Sequence, residues 1–214
     1  MSGNEPAQNL PPPLLRGYAE YLSQGAVLAF PTETYYGLLA RLDRPEALAR
    51  IFTLKGRPEG KPLPVIAADK DRACALWSKV DELAHKLIAE FWPGPLTIVL
   101  PASAIVPDRV TAATGKVGVR VPGSAAARGL AALAGGALAA TSANPGNQPP
   151  AMSPAEVRAY FGDAVVIAEG PKLPPSRGST VLDLSVRPPA LLREGDVGRE
   201  VLEIVLGSLL RADK

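Results

Sequence analysis

Apolar positions recur along this chain with two different periods. Leu14, Leu15, Tyr18 and Leu22 fall on one face of a helix, and Gly25 stops it. The apolar run 26–30 that follows is short enough for a buried strand, and Pro31 ends it. Leu48, Ile51, Phe52 and Lys55 stand on neighbouring turns of a helix over 45–54, with Pro45 in its first turn and Gly56 and Pro58 after it. The pattern then predicts a strand over 63–67, helices over 69–77 and 81–91, a break at Trp92-Pro93-Gly94-Pro95, and strands over 96–100 and 117–121. Ser124 caps a helix to about 134, and 138–141 is a further short strand. Ser153-Pro154-Ala155-Glu156 opens a helix to 161 as a capping box. Strands over 165–168 and 180–184 and a last helix over 197–210 complete the series. Alternating helices and adjacent strands predict one α/β domain around a twisted mixed sheet flanked by helices. No repeat of 20 to 50 residues is present, which excludes a solenoid.

With 214 residues, 47% of them apolar, the chain holds one domain and needs no staples for its core. Residues 1–13, ending in three prolines, read as a mobile leader, and 14–210 as the folded domain. The leader carries neither a basic segment nor an apolar one, so no export signal is expected. The most apolar stretch, 129–140, is too short to span a membrane. The single cysteine, Cys74, makes no internal bridge and reads as a small buried hydrophobe, in keeping with a reducing, cytoplasmic setting. A net charge of +2 argues against a strongly cationic nucleic-acid coat, so any basic site is local.

The residues also narrow the chemistry. The lone His85 is read as solvent-facing or at the rim of the core, and one histidine with one cysteine builds neither a zinc site nor a histidine-activated nucleophile. Gly56-Arg57-Pro58-Glu59-Gly60-Lys61-Pro62 is one residue too short for a Walker loop and has Pro62 where a hydroxyl is needed. Three segments remain, each with two readings. Lys55-Gly56-Arg57-Pro58 is either an ordinary helix stop or a pair of cations on a stiff loop that grips a polyphosphate. Arg120, alternating with Val119 and Val121, faces either solvent or a cleft, where its planar fork suits a carboxylate. Thr141-Ser142-Ala143-Asn144-Pro145-Gly146 is either a plain turn or a ligand site at the end of a strand. Pro31-Thr32-Glu33-Thr34-Tyr35-Tyr36-Gly37 adds hydroxyls and one carboxylate after the first strand.

Taken in order, PTETYYGL (31–38), KGRP (55–58), KPLPV (61–65), WPGPLTIVL (92–100), VGVRVP (117–122), ATSAN (140–144), GSTVLDL (178–184) and LLREG (191–195) resemble the YrdC/TsaC family, the L-threonylcarbamoyladenylate synthases of the short single-domain type. The resemblance implies a YrdC-like fold with a concave basic cleft. It implies synthesis of threonylcarbamoyl-AMP and pyrophosphate from L-threonine, bicarbonate and ATP with Mg2+, and no protein metal site. A downstream transferase complex then modifies adenosine 37 of tRNA. By position, Lys55 and Arg57 match the triphosphate-binding pair expected to be catalytic, and Ser142, Asn144 and Arg193 match further ATP contacts. Lys116, in a place where threonine is common, adds charge beside the ATP. Thr32, Tyr36, Arg120 and Ser179 match the threonine pocket, with Arg120 the partner of the carboxylate. Glu33 is the nearest carboxylate to take the amine proton. Two departures, Ile66 where many members have histidine and Pro145-Gly146-Asn147 after the asparagine, bear on amino-acid preference. A different reading of the same cleft is a non-catalytic module binding double-stranded RNA or tRNA through its phosphates.

Overall fold

The computed structural model describes residues 10–58, 60–207 and 210–212. In chain order the elements are α1 (Pro12–Ser23), β1 (Leu28–Pro31), β2 (Tyr36–Arg41), α2 (Pro45–Lys55), β3 (Val65–Ala67), α3 (Lys70–Ala75), α4 (Glu82–Phe91), β4 (Leu96–Pro101), α5 (Asp108–Thr111), β5 (Lys116–Arg120), α6 (Ala125–Leu133), β6 (Ala137–Ser142), α7 (Pro154–Phe161), β7 (Val166–Ile167), β8 (Thr180–Asp183), β9 (Ala190–Arg193), α8 (Arg199–Leu206) and β10 (Arg211–Ala212). The strands form one sheet in the order β10-β9-β8-β4-β5-β3-β6-β2-β1-β7. Parallel pairs, such as β3 with β5 and β4 with β8, stand beside antiparallel ones, such as β4 with β5 and β2 with β6, so the sheet is mixed.

Successive strand residues go to opposite faces; one face is core along the sheet, and the other is covered by α1 and α6 over parts of β1, β2, β3 and β6. Leu28, Phe30, Leu39, Ile66 and Leu138 pack with Tyr18 and Leu22 of α1 and with Ala127, Leu130 and Ala131 of α6. Their neighbours Ala29, Leu38, Ala40, Val65, Ala67 and Ala139 join the larger core on the other face, with Leu48, Ile51 and Phe52 of α2 and Leu87 and Ile88 of α4. Two-sided burial is why β1 and β3 read as unbroken apolar runs.

Helix ends follow local chemistry. The Asp69, Asp81, Ser124 and Ser153 side chains each accept a backbone N–H from the first turn of α3, α4, α6 and α7. Glu156, expected to bond back to its own cap residue, instead accepts the Met152 N–H at 2.6 Å. Gly56, at φ +55, closes α2.

Several boundaries differ from the sequence expectation. α1 begins at Pro12, inside the expected leader, because proline is at ease in a first turn; residues 1–9 lie outside the described residues. The expected tail helix over 197–210 ends at Leu206, where Gly207 turns to φ +66, and the chain returns to the sheet as β10; residues 208 and 209 lie outside the described ones. β2, β9 and α5 were not expected at all. His85 is exposed as read. Cys74 is half-buried rather than buried, and burial raises its thiol pKa, which disfavours the thiolate.

Candidate active site

The cavity of interest, of about 950 Å³, lies over one face of the central strands. Its floor follows the two-residue period: Thr97 and Val99 of β4, Lys116, Gly118 and Arg120 of β5, Ala140 and Ser142 of β6, and Val181 and Asp183 of β8 all point into it. Gly118 keeps the floor low, since a Cβ there would stand 3.1 Å from the Thr97 methyl. The ten residues matched to ATP and threonine all line this one space, namely Thr32, Tyr36, Lys55, Arg57, Lys116, Arg120, Ser142, Asn144, Ser179 and Arg193, whereas Glu33, the expected proton acceptor, does not. Lys61 lines it too, and among the described lining residues Asp183 is the only carboxylate.

At one end, α2 delivers Lys55, which is only 6% exposed. Its ammonium donates to the carbonyls of Ser142 (2.5 Å) and Asn144 (2.7 Å) and to Asn144 Oδ1 (3.2 Å). The Asn144 amide in turn donates to the Pro145 and Gln148 carbonyls, and Gly146 N–H donates to the Lys55 carbonyl at 2.7 Å. Lysine thus ties the end of α2 to the turn after β6. Burial, and then the neighbouring Arg57, lower its pKa to about 8. Arg57 donates through Nη2 to the Pro62 carbonyl at 2.8 Å, while its buried Nε has no hydrogen-bond partner among the described residues. With one bond to a loop carbonyl, the guanidinium that lines the cavity keeps donors for an anionic ligand. Burial lowers the Arg57 pKa as well.

Across the floor, Arg193 lays its guanidinium on Ser179, donating to the carbonyl (3.0 and 2.7 Å) and to Oγ (2.9 Å), and Thr97 donates to the same Oγ at 3.0 Å. Lys116 is paired with Asp183 at 3.3 Å, and Ser185 holds the other Asp183 oxygen from its N–H (2.8 Å) and hydroxyl (2.5 Å). The open question about Arg120 is answered by burial: it is 8% exposed, faces the cavity rather than bulk solvent, and pairs with Glu33.

Thr32 and Tyr36 reach the cavity but also build it. The Thr32 hydroxyl accepts the N–H groups of Thr34 and Tyr35 and donates to the Tyr35 carbonyl, forming a tight turn. The Tyr36 hydroxyl donates to the Pro171 carbonyl at 3.2 Å and that of Tyr35 to Ser176 at 2.8 Å, holding down the connection 168–179, which has no regular secondary structure. Burial raises the pKa of both phenols. Sequence reasoning passed over Thr97 and Asp183 although both stand in quoted motifs. Their signal was positional: each alternates with apolar neighbours on a strand whose other face is core.

A family model described as "Telomere recombination" and covering the Sua5, YciO and YrdC proteins matches residues 20–195. The chain belongs to the Sua5/YciO/YrdC family. It is 38% identical over 196 residues to a threonylcarbamoyl-AMP synthase of Pyrococcus abyssi, covering 91% of this chain and 58% of that protein. To a threonylcarbamoyl-AMP synthase of Chromohalobacter salexigens it is 40% identical over 163 residues, 76% of this chain and 88% of the relative. The crystal structure of Pyrococcus abyssi Sua5 complexed with L-threonine superposes with a TM-score of 0.87, over 93% of this chain and 58% of that one. Escherichia coli YciO gives 0.83 at 26% identity, over 92% of this chain and 96% of that one. The Sua5/YciO/YrdC chain described here therefore spans little more than half of its Pyrococcus relative and nearly nine-tenths of the Chromohalobacter one. The single α/β domain and mixed sheet expected from sequence are those of the family.

Proposed function

We propose that this chain is a threonylcarbamoyl-AMP synthase, acting as a nucleotidyltransferase. The observation that carries the reading is the convergence of ten motif residues, scattered from Thr32 to Arg193, on one cavity rich in cationic side chains. The names of its relatives support synthesis over passive RNA binding. In this reading the threonine amine combines with bicarbonate to give a carbamate and water. A carbamate oxygen then attacks the α-phosphorus of ATP, and pyrophosphate leaves. No side-chain nucleophile is required; positioning and charge neutralisation suffice. Arg57 and Lys116 serve the phosphates directly and Lys55 through its charge, its donors being held by the 142–144 segment; Ser142, Asn144 and Arg193 serve the nucleotide, and Thr32, Tyr36, Arg120 and Ser179 the amino acid.

Magnesium fits as part of the ATP substrate. Among the described residues no group of three or more His, Cys, Asp or Glu side chains is placed to hold a metal, and Asp183 is engaged by Lys116 and Ser185. Magnesium commonly binds through substrate phosphates with few protein ligands. No helix among the described residues is long and apolar enough to cross a membrane. A cytoplasmic enzyme handing its product to a tRNA-modifying transferase complex is the setting this activity needs, with at most weak contact to tRNA itself.

The test is adduct formation: threonylcarbamoyl-AMP and pyrophosphate appear only when L-threonine, bicarbonate and Mg-ATP are all present. RNA binding without any adduct would favour the passive module. A pH dependence follows from Lys55. Its ammonium is charged below about pH 8 and loses its proton above it, whereas bound triphosphate favours the charged form. The KM for ATP is therefore flat up to about pH 8 and rises toward pH 9.5, while Lys55→Met raises KM throughout and removes that slope. An unchanged slope in Lys55→Met assigns it to another group.

A further inference from the structure

Glu33 stands at the tip of the turn that Thr32 builds, with the backbone fixed on both sides of it. Thr32, Thr34 and Tyr35 line the cavity and Glu33 does not. Its carboxylate reaches Arg120 instead. One oxygen pairs with Arg120 Nη1, and the other accepts the backbone N–H of Ser124 at 3.3 Å, at the start of α6. Room for this arm depends on Gly123, where a Cβ would stand 3.2 Å from Glu33 Cγ. Both carboxylate oxygens are thus in use, which leaves Glu33 poorly placed to take a proton from a substrate amine. Arg120 lines the cavity with a side chain only 9% exposed, and among the described residues its guanidinium has no hydrogen bond other than the one to Glu33.

We propose that Glu33 is a positioning residue: from outside the cavity it clamps the Nη1 edge of Arg120, so that the rest of the planar fork is presented to the carboxylate of the amino-acid substrate. This rests on the synthase reading given above. An arginine is a long side chain whose donors are useful to a carboxylate only in one plane, and a fork already fixed loses less freedom when the ligand arrives. The clamp also gives the PTE segment, which leaves the end of β1, a physical link to the VGVRVP strand, from which the sheet separates β1 by β2, β6 and β3.

Three variants test it: Glu33→Ala, Glu33→Gln and, for assignment, Arg120→Lys. In Glu33→Ala the KM for L-threonine rises by about tenfold or more while the KM for ATP stays within about twofold. Glu33→Gln, which keeps an acceptor for Nη1, recovers most of the loss. In ligand-free protein carrying 15N-arginine, the Arg120 guanidinium signals, identified by their absence in Arg120→Lys, are resolved in wild type and Glu33→Gln and exchange-averaged in Glu33→Ala. Should Glu33→Ala not fold, Glu33→Asp withdraws the carboxylate from Nη1 by one methylene and is expected to behave the same way. Wild-type threonine KM with unchanged Arg120 signals in the shortened variant overturns the clamp. So does a parallel rise in both KM values that glutamine fails to relieve, since that marks a general lesion. If the wild type neither binds threonine nor makes the adduct, the synthase reading falls, and the ligand-free spectra alone decide the clamp: loss of Arg120 order in an otherwise unchanged spectrum supports it, and retained order overturns it.

Discussion

Arg57→Ala lowers pyrophosphate release by about 10²- to 10³-fold at saturating threonine, bicarbonate and Mg-ATP, the range found when a preorganised donor to developing charge is removed. Of the cavity's cations, Arg57 is the one whose buried Nε lacks a hydrogen-bond partner among the described residues, with Nη2 tied to Pro62. The loss falls on turnover more than on folding, because the side chain is half-buried and contributes one bond to a loop carbonyl. Arg57→Lys keeps the charge but not the fork and recovers only part of the rate. Lys116→Ala is the contrast. Lys116 is already paired with Asp183 and 37% exposed, so its removal costs about tenfold or less. Pyrophosphate release measured for the three variants separates them. Near wild-type turnover in Arg57→Ala would place the triphosphate away from the end of α2 and remove the phosphate half of the assignment.

The elements visible in the sequence were those whose local signals agree. Asp81 before α4 and Ser124 before α6 are caps followed by helical periodicity, and Gly56 is a stop at positive φ. β2 was hidden because its first residues, Tyr36 and Gly37, sit in a cluster of hydroxyls and aromatics that reads as a loop motif. Only its pairing with β1 and β6 makes it a strand. β9 was hidden in the same way, since Ala190–Arg193 is too short to carry a period and is set by β8. The site residues were found by motif order, but what they touch was not legible. No spacing announces that Lys55 spends its three donors on the 142–144 segment, or that Glu33 turns away from the cavity toward Arg120, because both contacts join residues about ninety positions apart.

Gly195→Ala is expected to destabilise the fold by about 4 kcal/mol or more, the range reserved for substitutions that force main chain apart. A Cβ at Gly195 would stand 2.2 Å from the Gly178 carbonyl oxygen, 2.6 Å from the Ser179 carbonyl carbon and 2.7 Å from the Thr180 nitrogen, all backbone atoms that cannot rotate aside. The crossing is also stitched. Asp196 N–H donates to that same Gly178 oxygen at 2.8 Å, and the Thr180 hydroxyl accepts the N–H groups of Gly195 (2.9 Å) and Val197 (3.1 Å) while donating to the Val197 carbonyl (2.6 Å). Moving the 194–197 loop to admit a methyl group therefore breaks several bonds at once. For a chain of this size the loss corresponds to a fall in Tm of about 8–16 °C. It reaches the site as well, since Arg193 and Ser179 flank the crossing and hold each other across the cavity floor. Gly198→Ala is the control: a Cβ there meets nothing nearer than the Glu194 carboxylate at 3.8 Å, and Tm stays within a few degrees. Equal Tm values for the two variants in a thermal melt would show that the 194–197 loop can be displaced freely, and that the close crossing does not hold Arg193 in the site.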